Sequence, residues 1–405
     1  MDRLTMAGGR IAATAMMAIG ISTGEAGAGA FQLNERSAKA MGTSLAGTAS
    51  AASDVTFAAF NPASLTTVEN IEVGGNISIV APIADGTFQN GPFAGQEYDA
   101  DRMGVVPTFA AGLRVNEDLV VGLTSYSPFG LKTEYPTNWP GQADGRTSEL
   151  RMVVVAPTIA YDVLDNFTLG LAVNFAYVDA RLTSAAVNLD GSEFAVSFSA
   201  GALYEPIEGT RLGAAYHHGY NLGLNTAIFG GLAGGIPESA GITGTAKTEL
   251  PSWVQIGVTQ DVTDDLRLMV EGRWINWSRF DRIDVSTTAG FDFSDAQNYD
   301  DAFFVSFGAE YDISDSFTLR GGVAWDETPT NDAYRTVRVP DEDRLWMSAG
   351  ASYRLTETMS LDAAYSYLHA LGNPEVTLRN GPLAGTSLEY DAGAHIFSLG
   401  GTISF

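Results

Sequence analysis

The sequence predicts an all-β protein: a fourteen-stranded antiparallel transmembrane β-barrel, plugged by a small N-terminal segment. Three observations support this prediction. Apolar and polar residues alternate over stretches longer than the ~5–6 residues of an ordinary strand. Short turns alternate with long loops along the chain. Only 17% of the 405 residues are charged, whereas 45% are hydrophobic, and soluble domains usually have a charged fraction of ~25%.

Composition excludes several classes of protein. The chain has 22 Lys and Arg against 48 Asp and Glu, which gives a net charge of −26. A nucleic-acid-binding protein needs a basic face, so this balance argues against one. The chain has no Cys, which excludes a disulfide scaffold and a thiolate metal site. Its hydrophobic content is too high for disorder.

The first 28 residues have the pattern of a secretory signal peptide. Arg3 and Arg10 flank the start, an apolar stretch follows over residues 11–21, and Ala26-Gly27-Ala28 forms a small-x-small cleavage site. The apolar stretch is too short to cross a ~30 Å hydrocarbon core. No later segment is apolar over 18 consecutive residues, so transmembrane helices are not predicted.

The last strand shows the alternation most clearly. One face carries mostly large apolar residues: His395, Phe397, Leu399, Gly401, Ile403 and Phe405. The residues between them are mainly small or polar. The same pattern recurs over residues 167–177, 317–325 and 359–367. Long alternating strands are typical of tilted membrane-spanning strands.

The connections between strands predict the topology. Short turns lie near residues 115–119, 163–167, 204–210, 262–266, 313–317 and 355–359. Longer polar or Gly-rich loops lie near residues 83–101, 132–147, 184–192, 226–246, 281–299, 327–342 and 370–388. These connections join fourteen strands, and only a closed sheet satisfies strand backbones in lipid. Short turns on the periplasmic side are typical of bacterial barrels, so both chain ends are expected there.

Charged side chains are predicted on the inner face of the barrel. The alternation places Arg267, Glu271, Arg273, Glu310 and Arg320 inside, where they avoid the cost of facing lipid. Two interpretations remain open for this set. The charges could pair with one another as a structural network, or they could contact the polar head group of a ligand.

Residues 29–70 do not alternate and precede the barrel, residues 71–405. A fourteen-stranded barrel leaves a wide lumen unless something fills it. This segment is rich in small residues, and its apolar side chains argue against a flexible tail: Phe31, Leu33, Phe57, Phe60 and Leu65. It is therefore predicted to plug the lumen.

Several motifs resemble one family. Residues 29–35 (GAFQLNE) and Asn61-Pro62-Ala63 resemble the N-terminal hatch of the FadL family of long-chain fatty acid and hydrocarbon transporters. Further similar motifs occur in the same order at residues 130–135, 277–280, 340–346 and 366–369. The resemblance implies a bacterial outer-membrane protein whose terminal Phe405 is read by the barrel assembly machinery. We expect a monomer in outer-membrane lipid and lipopolysaccharide, without a cofactor, a metal or a nucleic-acid partner.

The resemblance also implies a route for the ligand. In such proteins an apolar ligand is captured outside, held in an apolar pocket, and released sideways through a gap at a kink in the third strand. The candidate kink residues here are Ser127, Pro128, Phe129, Gly130 and Glu134. Pro cannot donate to a strand ladder and Gly often marks a bend, although a strand that ends in a loop would look the same.

Residues of the hatch are expected to lie on the ligand path next to this gap. The candidates are Phe31, Asn61, Pro62 and Ala63. Asn61 is expected to hydrogen-bond to the unpaired backbone at the gap, because buried backbone groups need partners.

The sequence leaves two classes of ligand open. The basic head-group residues of the family do not transfer, and the candidate substitutes are Arg181, Arg279 and Arg282. An apolar capture surface is expected in the loop near 226–246, at Ile228, Phe229, Leu232 and Ile236. A long-chain fatty acid is the main expectation, and an aromatic or aliphatic hydrocarbon is the alternative.

Two other classes of protein share part of this pattern. A non-specific porin would share the barrel, the signal peptide and the acidity, but it would not need a hatch. A membrane lipid hydrolase would need a catalytic Ser and His. The four His residues are His217, His218, His369 and His395, and no Gly-x-Ser-x-Gly elbow lies at a strand–helix turn. No catalytic residue is therefore predicted.

Overall fold

The structure, a computed structural model, describes residues 29–100, 102–230 and 241–405, so the predicted signal peptide lies outside the described residues. Within these ranges the β-strands form one closed antiparallel sheet, and the prediction of fourteen barrel strands is confirmed. The barrel closes where β1 (Ile71–Phe88) pairs with β21 (Ser387–Ser404), from Glu72 opposite Ser404 to Phe88 opposite Leu388.

Ten of the fourteen strands are continuous in the described part of the chain. Besides β1 and β21 they are β3 (Gly104–Arg114), β6 (Thr147–Leu164), β7 (Phe167–Thr183), β8 (Val187–Ile207), β16 (Ala302–Ser314), β17 (Phe317–Asp326), β18 (Arg344–Arg354) and β19 (Met359–Ala370). Three short segments extend the loops: β2 (Glu97–Asp99), β15 (Phe293–Ala296) and β20 (Glu375–Thr377).

The other four barrel strands are interrupted. The third consists of β4 (Leu119–Tyr126) and β5 (Gly130–Glu134), and the seventh of β9 (Thr210–His217) and β10 (Tyr220–Gly230). The eighth consists of β11 (Thr243–Leu250) and β12 (Trp253–Asp261), and the ninth of β13 (Leu266–Ile275) and β14 (Arg282–Thr287). The third strand is thus interrupted where the sequence has Ser127, Pro128 and Phe129.

Short turns lie at one end of the barrel and long loops at the other. The predicted short turns are all present, for example between Arg114 and Leu119 and between Arg354 and Met359. The chain ends at the turn end, where the Phe405 N–H donates to the Ile71 carbonyl. The loop predicted over 184–192 is shorter than expected, because β8 begins at Val187 and pairs with both β7 and β10.

Apolar side chains point outwards and small or polar ones point inwards. In β7, Leu171 is 58% exposed, whereas the neighbouring Ala172 is 6% exposed. This arrangement is the reverse of a water-soluble sheet and matches a wall that faces lipid. Among the described residues, no helix is both long and apolar enough to span a membrane.

Residues 29–70 fill the lumen, which agrees with the prediction of a hatch. The segment contains one short helix, α1 (Ala38–Gly42), and two 3₁₀ turns, Val55–Ala59 and Pro62–Thr67. It packs directly on inward-facing glycines of the wall. A Cβ at Gly201 would lie 1.8 Å from Asn61 Oδ1, and one at Gly213 would lie 1.9 Å from the Ala49 carbonyl oxygen. Only glycine leaves room for the hatch at these points.

Paired charges hold the hatch to the wall. The buried Arg273 pairs with Glu271 at 2.9 Å, and it donates to Asn34 Oδ1 of the hatch at 2.7 Å. Glu271 accepts the Ala49 N–H at 2.8 Å. The predicted interior charges therefore form a structural network, which supports the first of the two interpretations. Arg267 and Arg320 extend it, because both pair with Glu310.

Candidate ligand pocket and gap in the barrel wall

The interruption of the third strand separates it from the second. β4 pairs with β3 from Phe109 opposite Ser125 to Arg114 opposite Val120. Beyond the interruption, β5 pairs with β6, but among the described residues it forms no ladder with β3. The wall therefore loses its pairing between residues 104–108 of β3 and the segment that follows Tyr126. We call this place the wall gap.

The start of the hatch lies across the wall gap. Gln32 faces Phe129 as an isolated antiparallel bridge. The Leu33 N–H donates to the Pro128 carbonyl at 2.9 Å, and the Gly130 N–H donates to the Phe31 carbonyl at 3.0 Å. The hatch thus supplies backbone partners that the second strand does not.

Aromatic rings pack behind this bridge. The Phe31 ring lies 4.8 Å from that of Trp277, 5.2 Å from that of Phe280 and 6.1 Å from that of Phe129, measured between centroids. Trp277 and Phe280 lie in the segment that interrupts the ninth strand between β13 and β14. Trp277 is fully buried. The sequence predicts Phe31 next to the strand-3 gap, and the structure brings these residues together.

Asn61, Pro62 and Ala63 lie elsewhere, so the predicted position of this turn is wrong. The Asn61 side chain donates to the Ala49 carbonyl at 2.6 Å and to the Ala202 carbonyl of β8 at 3.2 Å, and it accepts the Ala63 N–H at 3.0 Å. The turn therefore rests on the fifth and sixth strands, where Gly170 and Gly201 leave space for it. The turn supports the hatch on the barrel wall, and its side chains do not hydrogen-bond to the backbone at the wall gap.

Two ionisable side chains are buried in the hatch near its start. Removal from water raises the pKa of Glu35 from 4.5 to about 7, although its Oε2 accepts the Asn34 N–H at 2.8 Å. Burial also lowers the pKa of Arg36 to about 10. The Arg36 guanidinium lies 4.5 Å from the Tyr126 ring centre and donates to the Ala59 carbonyl at 2.7 Å. Arg36 thus links the hatch to the last residue of β4.

A cavity lies next to the aromatic cluster. We call it the apolar cavity, since most of its lining is apolar: Phe31, Leu131, Leu150, Leu222, Leu250 and Phe280 contribute, among others. Polar groups interrupt the lining. They include Thr226, whose buried hydroxyl has no partner among the described residues, Tyr299, Arg338, and the carboxylates Glu149 and Asp295. Such a lining suits an apolar ligand with one polar end.

The three arginines proposed for a head group do not reach this cavity, whose described lining includes none of them. Arg181 is half exposed and lies 4.0 Å from Asp190. Arg282 is exposed and pairs with Asp281 at 2.7 Å. Arg279 pairs with Glu249 at 3.0 Å and donates to Ser252 and Asn221. Each is therefore engaged by neighbouring protein groups, and the predicted head-group contact at these arginines stays a prediction.

The predicted capture surface is only partly described. Leu232 and Ile236 lie outside the described residues, and Phe229 is half-buried on β10. Ile228 is buried against Leu189 and Val285, because strand pairing continues beyond the point where a loop was predicted. Ile228 therefore offers no exposed surface. Glu134, the last kink candidate, ends β5 and lies 3.6 Å from Arg102.

Ser199 and His217 form the kind of pair that a hydrolase would need. Ser199 Oγ lies 3.0 Å from His217 Nδ1, and His217 Nε2 lies 2.6 Å from the Phe60 carbonyl. A carbonyl only accepts, so Nε2 carries the proton and Nδ1 accepts from Ser199. The pair is buried beneath the hatch and holds it in place, and it does not line the apolar cavity.

The fold and the pocket can be compared with known proteins. A family model described as "Outer membrane protein transport protein (OMPP1/FadL/TodX)" matches residues 19–405. The chain is 24% identical over 416 residues to the long-chain fatty acid transport protein of Salmonella typhi, with 90% of this chain and 92% of the relative covered.

Two solved structures share the fold. A Pseudomonas aeruginosa FadL homologue superposes with a TM-score of 0.82 at 22% identity, with 93% of this chain and 100% of the homologue covered. The Ralstonia pickettii toluene transporter TbuX superposes with a TM-score of 0.69 at 18% identity, with 92% of this chain and 99% of that chain covered.

Proposed function

Because the chain belongs to the OMPP1/FadL/TodX family of outer membrane transport proteins, we propose that it takes up long-chain fatty acids and releases them sideways into the membrane. The observation that carries this proposal is the position of the apolar cavity. Phe31 and Leu131 line the cavity, and both adjoin the wall gap. A ligand held there is separated from the lipid side by the start of the hatch.

The physical reason for such a route is the cost of moving an apolar chain through water. Transfer of apolar surface into water costs about 0.8 kcal/mol per CH₂ group. A path that runs from an apolar cavity through the wall into lipid avoids this cost. The proposed orientation places the turn end of the barrel in the periplasm and the long loops outside.

Uptake of radiolabelled oleate tests this proposal. Cells that lack their own fatty acid transporter would express this protein, and accumulation would be compared with cells that carry an empty vector. We expect saturable uptake that depends on the protein. Equal accumulation in both strains, with the barrel present in the outer membrane, would contradict the proposal.

An aromatic or aliphatic hydrocarbon is the second candidate ligand. The apolar side chains that form most of the described lining of the apolar cavity favour it, as does the shared fold with a toluene transporter. Mass spectrometry of lipids that co-purify with the protein separates the two candidates. A general porin is less favoured, because the hatch occupies the lumen and is anchored by buried ion pairs; a large, steady single-channel conductance would favour the porin.

A further inference from the structure

Arg338 occupies a place where three cavities meet. It lies in the loop between β17 and β18, and it lines the apolar cavity. It also lines an outer cavity between the long loops, with Ser184, Asp295 and Arg379. On its third side is a gap-side cavity, which Leu131 and Thr133 of β5 and Ala30 of the hatch border.

No carboxylate accepts a hydrogen bond from Arg338 among the described residues, so its positive charge is not balanced by a negative one. Nη1 donates to the Thr147 carbonyl at 3.0 Å and to Ser148 Oγ at 2.8 Å, and Nη2 donates to the Thr183 carbonyl at 3.1 Å. These three acceptors are all neutral. A guanidinium has five N–H donors, so two remain without an acceptor among the described residues.

The nearby carboxylates are engaged elsewhere. Asp144 accepts the backbone N–H groups of Arg379 and Asn380. Asp295 accepts from the Gln297 side chain at 3.0 Å. Both carboxylates attract Arg338 electrostatically, but they lie beyond ion-pair distance from it. Burial therefore lowers the pKa of the Arg338 guanidinium below its usual range.

Arg335, three residues earlier in the same loop, shows the contrast. It pairs with Asp332 at 2.7 Å and with Glu342 at 3.3 Å, so its charge is balanced by the protein. Arg338 has no such pair among the described residues. Arg338 is half-buried, and a charge removed from water without a partner is costly. A charged group of this kind in a cleft is a candidate for a functional site.

The fold holds the guanidinium in one place. Thr147 and Ser148 begin β6 and Thr183 ends β7, so Arg338 is fixed to the rims of two neighbouring strands. Gly145 provides the space, since a Cβ there would lie 3.0 Å from the central guanidinium carbon. The planar fork is thus oriented in advance, which lowers the entropy lost when an anion binds.

We propose that Arg338 binds the anionic head group of an amphiphilic ligand whose tail lies in the apolar cavity, and that it thereby selects carboxylates over neutral hydrocarbons. The inference rests on the proposed function, because it identifies the ligand class of the same pocket. The two remaining donors hold a carboxylate in the way that guanidinium groups bind such planar anions. The tail then contacts Leu222, Leu250 and Phe280. Since Arg338 also lines the outer and gap-side cavities, it contacts the head group on arrival and on departure.

Binding of oleate and methyl oleate to the purified, detergent-solubilised protein tests the inference. The two ligands share one tail and differ in charge. The test variant is Arg338→Gln. A second variant, Arg338→Lys, keeps the positive charge but loses the planar set of N–H donors. The matched control is Arg379→Gln, which removes a cation from the outer cavity but not from the apolar cavity.

We expect Arg338→Gln to weaken oleate binding about tenfold or more, as for the loss of a hydrogen bond to a charged group. Methyl oleate binding should stay within about twofold, Arg338→Lys should be intermediate for oleate, and Arg379→Gln should bind both ligands like the parent. Heat-modifiable migration on gels checks that each variant forms a folded barrel.

Three outcomes would overturn the inference. An unchanged affinity of Arg338→Gln for oleate would show that the head group lies elsewhere. An equal loss for oleate and methyl oleate would show that Arg338 only supports the shape of the pocket. Binding of methyl oleate but not of oleate by the parent protein would exclude carboxylate selection while it leaves hydrocarbon transport intact. If the parent bound neither ligand, the proposed function itself would fail.

Discussion

Gln32 of the hatch and Phe129 of the third barrel strand face each other as an antiparallel bridge. The flanking hydrogen bonds, from Leu33 to Pro128 and from Gly130 to Phe31, make this a non-hydrogen-bonded pair, in which the two Cα atoms lie ~4.5 Å apart. The bridge joins the first residues of the plug to the interruption in the wall. Any movement that opens the wall gap from inside has to break it.

A disulfide at this bridge should stop uptake. The Cα separation of ~4.5 Å falls within the range of natural disulfides, and the chain has no other Cys to compete. We expect the double variant Gln32→Cys/Phe129→Cys to lose oleate uptake when oxidised and to recover it with a reductant. The two single variants control for the lost side chains. Full uptake by the cross-linked protein would show that release does not need the hatch to leave Phe129.

A side chain at Gly130 should block release without unfolding the barrel. Gly130 is buried, and its N–H donates to the Phe31 carbonyl. A valine here adds bulk between the hatch and β5. We expect Gly130→Val to abolish oleate uptake and to retain heat-modifiable migration. Gly272→Val is the matched control, because a Cβ at Gly272 has no neighbour within 4 Å among the described residues. Normal uptake by Gly130→Val would argue against release at the wall gap.

Loss of the buried anchor at Glu271 should loosen the hatch. Glu271→Gln leaves the buried Arg273 without its ion-pair partner, and breaking a buried pair typically costs about 3–5 kcal/mol. We expect a lower melting temperature and a raised ion conductance in planar bilayers, because the plug no longer seals the lumen. Asp281→Asn removes one partner of an exposed pair and should change neither property measurably. Unchanged conductance of Glu271→Gln would place the seal elsewhere in the hatch.

The stability of the hatch should fall as the pH rises, because burial raises the pKa of Glu35 from 4.5 to about 7. Between these values the folded protein keeps a proton that the unfolded chain has released. The free energy of unfolding therefore decreases as the pH increases through this window, by at most about 3 kcal/mol. Below about pH 4.5 both states are protonated and Glu35 contributes no pH dependence.

Thermal unfolding of the parent and of Glu35→Gln at pH 5 and pH 8 tests this expectation. Glutamine has no proton to lose, so the variant should show a smaller difference between the two pH values than the parent. Other groups titrate equally in both proteins, and the comparison removes their effect. An identical pH dependence of the two proteins would mean that Glu35 stays charged in the folded state.

The strands and their connections could be predicted from sequence because they depend on local chemistry. Side chains in a strand alternate between two faces, so residues such as Leu171 and Ala172 already indicate which side meets lipid and which meets the lumen. The apolar content of residues 29–70 likewise indicated a plug. Pro128 also marked a break in the ladder, since proline lacks the N–H that a ladder requires, but only the family resemblance favoured a kink over a strand that ends in a loop.

The positions of the hatch and the loops inside the barrel were decided by the tertiary structure. Asn61 rests on Gly201, 140 residues away along the chain, because its side chain fits where the wall lacks a Cβ. Arg338 reaches the pocket because the loop between β17 and β18 bonds to the ends of β6 and β7. No local pattern records such contacts. The sequence by itself determined the barrel and its plug, whereas packing across the lumen decided which residues line the apolar cavity.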